Sequence, residues 1–146
     1  MTSTADTLLL AVPNVSEGAD AAALAAIGAA FGPGVLAPPH ADADHGRAVF
    51  TLAGRPGELS QALLAGAREA VARIDLRRHR GSHPYVGAVD VVPIVHLDDA
   101  RRGAACAEAL VVADLLALDL GLPVFLYGAL AQGARAPNCG AAASPR

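Results

Sequence analysis

Apolar positions along the chain fall into blocks whose spacing alternates between that of strands and that of helices. Leu8-Leu9-Leu10-Ala11-Val12 is an unbroken apolar run, the pattern of a buried strand. It stops at the turn-rich segment Pro13-Asn14-Val15-Ser16-Glu17-Gly18. Asp20 then marks a helix start, with Leu24, Ile27 and Phe31 on one stripe and Gly32 as the stop. Val35-Leu36-Ala37 predicts a weak second strand cut short by Pro38-Pro39, and Ala48 to Ala53 predicts a third, closed by Gly54. From Glu58 to Ile74 the residues Leu59, Leu63, Ala67, Ala70 and Ile74 keep helical spacing; Gly66 weakens that helix without breaking it. Val89 to Leu97 is apolar and β-branched enough for a strand, with Pro93 pointing to an edge or a bulge. Asp98 or Asp99 can cap a third helix whose inner face carries Cys106, Ala109, Leu110, Ala113, Leu116 and Ala117. Pro123 to Tyr127 is the last strand.

The order is β-α-β-β-α-β-α-β, an α+β pattern. Its first six elements match a ferredoxin-like β-α-β-β-α-β core, here extended by one more α-β unit, with helices on one face of a mixed sheet. Residues 1–128 form the expected domain. The Ala/Gly/Pro/Ser-rich stretch 129–146 has no periodicity and reads as a disordered tail.

Composition narrows the picture. A chain of 146 residues suits one domain with one core, but aromatics are only 3%, so the core rests on scattered Leu, Val and Ile. A net charge of −3 offers no basic face for nucleic acid. No apolar run approaches the roughly 20 residues of a membrane span, and Met1 to Asp6 lacks the basic start of a signal peptide. A cytoplasmic location follows as the expectation. Cys106 and Cys139, far apart and outside any CxxC pair, argue against a disulfide framework.

Three polar clusters are candidates for chemistry. Asn14-Val15-Ser16-Glu17-Gly18 lies between a strand and a helix, where backbone amides can hold a substrate carboxylate or where Asn14 and Ser16 simply close a turn. His40-Ala41-Asp42-Ala43-Asp44-His45-Gly46-Arg47 suits a metal site or a solvated loop; Arg47, at the start of a strand, suits a carboxylate ligand or an ion pair. His79 and His83 flank Gly81, and Pro84 holds His83 out of a helix. Zinc would need a third ligand that the sequence does not supply. His79 suits a structural hydrogen bond better than His83 does, and on pattern alone His83 stands open between an acid/base and an ordinary loop residue.

Taken in order, six segments give these clusters a shared meaning. They are Val12-Pro13-Asn14-Val15-Ser16-Glu17-Gly18, Asp44-His45-Gly46-Arg47-Ala48-Val49-Phe50-Thr51, Ile74-Asp75, His79-Arg80-Gly81-Ser82-His83-Pro84, Gly87-Ala88-Val89-Asp90-Val91-Val92-Pro93 and Pro123-Val124-Phe125-Leu126-Tyr127-Gly128. From about Leu8 to Gly128 the chain resembles the N-terminal subdomain of glutamate formiminotransferase. The resemblance implies transfer of a formimino group from N-formimino-L-glutamate to tetrahydrofolate as co-substrate, without a metal, in histidine degradation and one-carbon metabolism. It implies His83 as the general acid/base, and Asn14, Ser16, Glu17, Asp44, Arg47, His79, Gly81 and Gly87 as substrate- and folate-binding positions.

Three departures accompany it. Ser82 stands where the family usually has Glu, Tyr85 where it has Arg, and Gly46 where it has Asn. The family's transferase also carries a second subdomain of comparable size. The resemblance therefore implies a separate C-terminal subdomain or a homodimer as partner. The alternative is a catalytically weak or inactive folate-binding module.

Overall fold

The computed structural model describes residues 7–131 and the backbone of strand Cys139–Ala143. In chain order the elements are β1 (Leu9–Ala11), β2 (Asn14–Val15), α1 (Ala21–Phe31), β3 (His40–Asp42), β4 (Arg47–Val49), β5 (Leu52–Gly54), α2 (Glu58–Arg73), β6 (Val89–His96), α3 (Arg102–Leu120), β7 (Val124–Gly128) and β8 (Cys139–Ala143). Short 3-10 turns at Leu76–Arg78 and Asp99–Arg101 precede β6 and α3.

Pro13 separates β1, in the first apolar run, from β2, which forms inside the segment expected as a turn, yet the sheet continues across the break. The Val12 N–H donates to the Pro93 carbonyl, and the Pro13 carbonyl accepts from Phe50 N–H, each at 3.0 Å. β1 and β2 thus act as one kinked strand, and so do β4 and β5, their neighbours on one side. On the other side both pair with β6, where a register shift falls between Asn14 and Val15. β3 borders β4, and β8 joins β6 to β7.

Counted this way, the core order is β3, β4/β5, β1/β2, β6, which is the ferredoxin-like order expected from the sequence. The α+β class is as expected, but the sheet is antiparallel at every described pairing rather than mixed. Connectivity explains this. With the strands in this order, the chain enters each neighbouring core strand from the opposite end of the sheet.

The second strand also differs from expectation. Val35 makes only an isolated bridge to Leu52, and the strand that forms is β3, inside the polar His40 cluster. Of the stretch expected as a tail, residues 132–138 and 144–146 lie outside the described residues, whereas Cys139–Ala143 is β8. Cys106, which packs against the buried cluster, is disulfide-bonded, contrary to the expectation drawn from the spacing of the two cysteines.

One buried cluster joins all three helices to the sheet, so the helices share one face. Leu24, Ile27 and Phe31 from α1 and Leu59, Leu63 and Ala67 from α2 meet Leu9, Ala11 and Ile94 from the strands. Phe31 and Phe50 pack with ring centroids 5.1 Å apart. Gly66 lets α1 and α2 approach: a Cβ there would stand 2.1 Å from the Phe31 ring. Asp20 caps α1 by accepting from Ala23 N–H at 2.9 Å. α2 has no cap of its own at Gly57; the buried Glu108 of α3 supplies it, accepting from Gly57 and Ser60 N–H at 2.9 and 2.7 Å. No helix among the described residues is long and apolar enough to cross a membrane.

Candidate active site

The three polar clusters meet at one end of the sheet. β2 brings Asn14 and Ser16, the β3–β4 turn brings Asp44 to Gly46, and β4 begins with Arg47. The loop 79–88 leads into β6 and carries both histidines.

Two glycines allow the loop to lie against the turn. Gly46 has φ of +66°, a left-handed conformation that favours glycine and admits Asn best among the rest. A Cβ on Gly81 would stand 2.0 Å from the His45 carbonyl oxygen, so the two backbones cross there. Hydrogen bonds then tie the segments together. Ser82 donates to the Asp44 carbonyl from N–H at 2.9 Å and from Oγ at 3.2 Å, and His83 N–H donates to the His45 carbonyl at 3.3 Å.

His79 Nε2 lies 3.0 Å from the Gly46 carbonyl oxygen. A carbonyl only accepts, so Nε2 carries the proton and His79 is a tie between loops. Its ring lies 4.3 Å from that of Tyr85, whose hydroxyl donates to the Leu76 carbonyl at 3.3 Å. At Tyr85, which stands where the family has Arg, the side chain thus packs on His79.

Arg47 is the hub. Its Nε donates to Asn14 Oδ1 at 3.0 Å, while Asn14 Nδ2 is held by the Val12 carbonyl at 2.8 Å. Its Nη1 pairs with Asp90 Oδ2 at 2.8 Å; the side chains are only 17% and 6% exposed, so the pair is sheltered from solvent screening. Asp90 Oδ1 accepts from Val86 N–H at 2.5 Å, which binds the loop to the start of β6. The same Nη1 lies 2.7 Å from His83 Nδ1. His83 itself is exposed, and the His45 ring stands edge-on to it at 6.3 Å.

Ser16 and Gly87 meet through Ser16 Oγ donating to the Gly87 carbonyl at 2.8 Å. Glu17 Oε1 accepts from the N–H groups of Gly18, Ala19 and Asp20 at 2.8, 2.7 and 3.0 Å. The amides expected to hold a substrate carboxylate are therefore occupied by the chain's own Glu17 and Asp20. Asp44 contributes its backbone carbonyl. Among the described residues, no three His, Cys, Asp or Glu side chains form a group able to hold a metal. In the exposed His40–His45 turn, Asp42 accepts from the His45 backbone and pairs with its ring at 2.8 Å; these bonds hold the Asp42 carboxyl below its ordinary value of 3.8.

Beside the hub lies a cavity of about 350 Å³, lined by Ser16, Glu17, Gly46, His79 and Gly81. Arg78 and Arg80 line it together with the acids Asp20 and Asp75, and with Arg73, which is itself paired with Glu69. The structure thus collects the sequence candidates in two adjoining places: Asn14, Arg47 and His83 at the hub, and Ser16, Glu17, His79 and Gly81 at the cavity. Sequence reasoning did not assign Asp90 to the site. Its signal was an acid inside the apolar run of Val89 to Leu97, which a strand buries only with a partner.

Residues 8–139 match the family model for the formiminotransferase domain, N-terminal subdomain. The chain is 38% identical over 128 residues to the formimidoyltransferase-cyclodeaminase of Gallus gallus, covering 86% of this chain and 24% of that protein. It is 36% identical over 119 residues to the glutamate formimidoyltransferase of Streptococcus pyogenes serotype M1, covering 80% of this chain and 40% of the relative. Against the glutamate formimidoyltransferase of Thermoplasma acidophilum it is 36% identical over 91 residues, 62% of this chain and 30% of that one. The chain therefore spans from 24% to 40% of the length of these relatives.

Proposed function

From the premise that the chain belongs to the formiminotransferase N-terminal subdomain family, we propose that it serves transfer of a formimino group from N-formimino-L-glutamate to tetrahydrofolate, with His83 as the general acid/base. The names of its relatives support formimidoyl transfer in general. The observation that carries the assignment to His83 is the contrast between the two loop histidines. His79 spends its Nε2 proton on the Gly46 carbonyl, whereas His83 is exposed and meets the hub only through Nδ1, leaving Nε2 to face a substrate.

In the transfer, the folate N5 amine attacks the formimino carbon and forms a tetrahedral adduct. N5 must lose a proton and the glutamate nitrogen must gain one before the carbon–nitrogen bond to glutamate breaks. Nε2 of His83 can take the first proton and return it to the leaving nitrogen, a relay worth about 10²–10⁴-fold in rate. In the cavity beside the hub, Arg78 and Arg80 are the donors on offer for the carboxylates of such substrates, with the acids Asp20 and Asp75 nearby. In this reading a further subdomain, corresponding to the part of the relatives that the chain does not span, completes the cleft.

The test is formimino transfer by this chain together with a C-terminal subdomain, with His83→Ala as the control. Loss of about two to four orders of magnitude in the variant is expected. Indistinguishable rates for the two proteins refute the assignment. Heat of tetrahydrofolate binding, measured calorimetrically, checks the co-substrate separately: a flat titration at high ligand concentration counts against it.

A further inference from the structure

His83 meets two partners at a single nitrogen. Arg47 Nη1 stands 2.7 Å from Nδ1, and the Pro84 carbonyl oxygen stands 2.5 Å from the same atom. A guanidinium only donates and a carbonyl only accepts, so Nδ1 serves one of them at a time. If Nδ1 is bare it accepts from Arg47, and the neutral ring carries its proton on Nε2. If Nδ1 is protonated it donates to Pro84, and Nε2 is bare. Only the second form can take a proton at Nε2.

Arg47 is held beside His83 at rest. Asp90 Oδ2, 2.8 Å from the same Nη1, and Asn14 Oδ1, 3.0 Å from Nε, hold the guanidinium, and Asp90 is itself fixed by the Val86 amide. Nη1 has two hydrogens: one is directed to Asp90, and the other remains for Nδ1 or, at 3.4 Å, the Pro84 carbonyl.

We propose that Arg47, anchored by Asp90 and Asn14, is a positioning residue that sets the tautomer of His83, keeping the ring proton on Nε2 while the guanidinium rests on Nδ1. Withdrawing the guanidinium lets the ring lose its Nε2 proton to water and gain one at Nδ1, with no net change in protons. Nδ1–H then turns to the Pro84 carbonyl, and Nε2 becomes a base. The proposal rests on the reading of His83 as the acid/base for its catalytic meaning, but the tautomer is a property of the chain alone.

Long-range proton–nitrogen NMR correlation on the nitrogen-15-labelled chain reads it directly. The measurement belongs at about pH 9, where an ordinary imidazole is neutral. His83→Ala assigns the ring signals by their disappearance. The wild-type ring should be protonated at Nε2, and Arg47→Met should move the proton to Nδ1. The paired substitution Arg47→Met with Asp90→Asn should do the same. It leaves no buried charge unpaired and keeps an acceptor for the Val86 amide, so it guards against a variant that fails to fold. A wild-type ring protonated at Nδ1, or a proton that stays on Nε2 in both variants, overturns the proposal. No substrate enters the measurement, so its outcome is independent of the transfer assay.

Discussion

A single carboxylate, Asp90, sets the order of the site at the scale of the residue. Both of its oxygens are engaged, by the Val86 amide and by Arg47, and the side chain is nearly out of contact with water. Removing one partner of such a pair leaves the other charge buried and uncompensated, at a cost of about 3–5 kcal/mol. Asp90→Ala should therefore lower the unfolding free energy by about that amount in a urea titration. The exposed Asp75–Arg77 pair offers the contrast, and Arg77→Ala should leave the denaturation midpoint almost unmoved. Asp42 gives a second residue-scale prediction. Its carboxyl is depressed in the folded chain, so its contribution to stability is present above pH 3.8 and fades as pH falls through the folded value. The largest cause is the His45 backbone N–H, followed by the His45 ring. In an NMR titration, His45→Ala should move Asp42 part of the way back up and no further, since the backbone donor survives the substitution. A complete return to the ordinary value would show that the ring, and not the backbone, governs this carboxylate.

Elements were legible where the signal was local. The α1 start at Asp20, the stop at Gly32 and the stripe of Leu24, Ile27 and Phe31 all lie within one turn or two of what they control. The same holds for α2 and β6. What escaped the sequence was long-range. The cap of α2 comes from Glu108, on α3, 51 residues beyond Gly57, and no pattern near Gly57 announces it. Strand β3 is fully exposed and polar, so it carries no apolar alternation; pairing with β4 creates it. Gly66 shows how packing outweighs propensity. Alanine is a better helix former by about 1 kcal/mol, yet its methyl would enter the Phe31 ring. Gly66→Ala should therefore destabilise the chain, by about 1–3 kcal/mol of overpacking strain less that gain. A rise in melting temperature would show that α1 moves aside at little cost. Glu108→Ala, which strips the acceptor from buried amides, should cost about 1–3 kcal/mol in the same assay.

At the scale of the whole molecule, the core and the site are separable. The apolar cluster sits between the helices and the sheet, whereas the site is built where loop 79–88 lies on the β3–β4 turn at one end of that sheet. Sequence alone brought both histidines and Arg47 into view, because loop glycines and a strand-leading arginine are local signals. It could not show that Arg47 joins Asp90 to His83, since those residues are 43 and 36 positions away from it and the chain must fold to bring them together. The crossing of Gly81 over His45 is the joint on which that assembly depends. Gly81→Ala would put a methyl group 2.0 Å from the His45 carbonyl oxygen and force the loop off the turn. The hydrogen bonds from Ser82 and His83 to the turn would be lost with it, and His83 would leave its place on the turn. Because these bonds are at the surface and outside the apolar cluster, the variant should keep most of its thermal stability; on the proposed reading it should lose formimino transfer, assayed with a C-terminal subdomain, as severely as His83→Ala. Thermal unfolding measured beside the transfer assay separates the two effects. Equal and large losses in both would mean that the loop holds up the core; retained activity would mean that His83 does not need the turn to find its place.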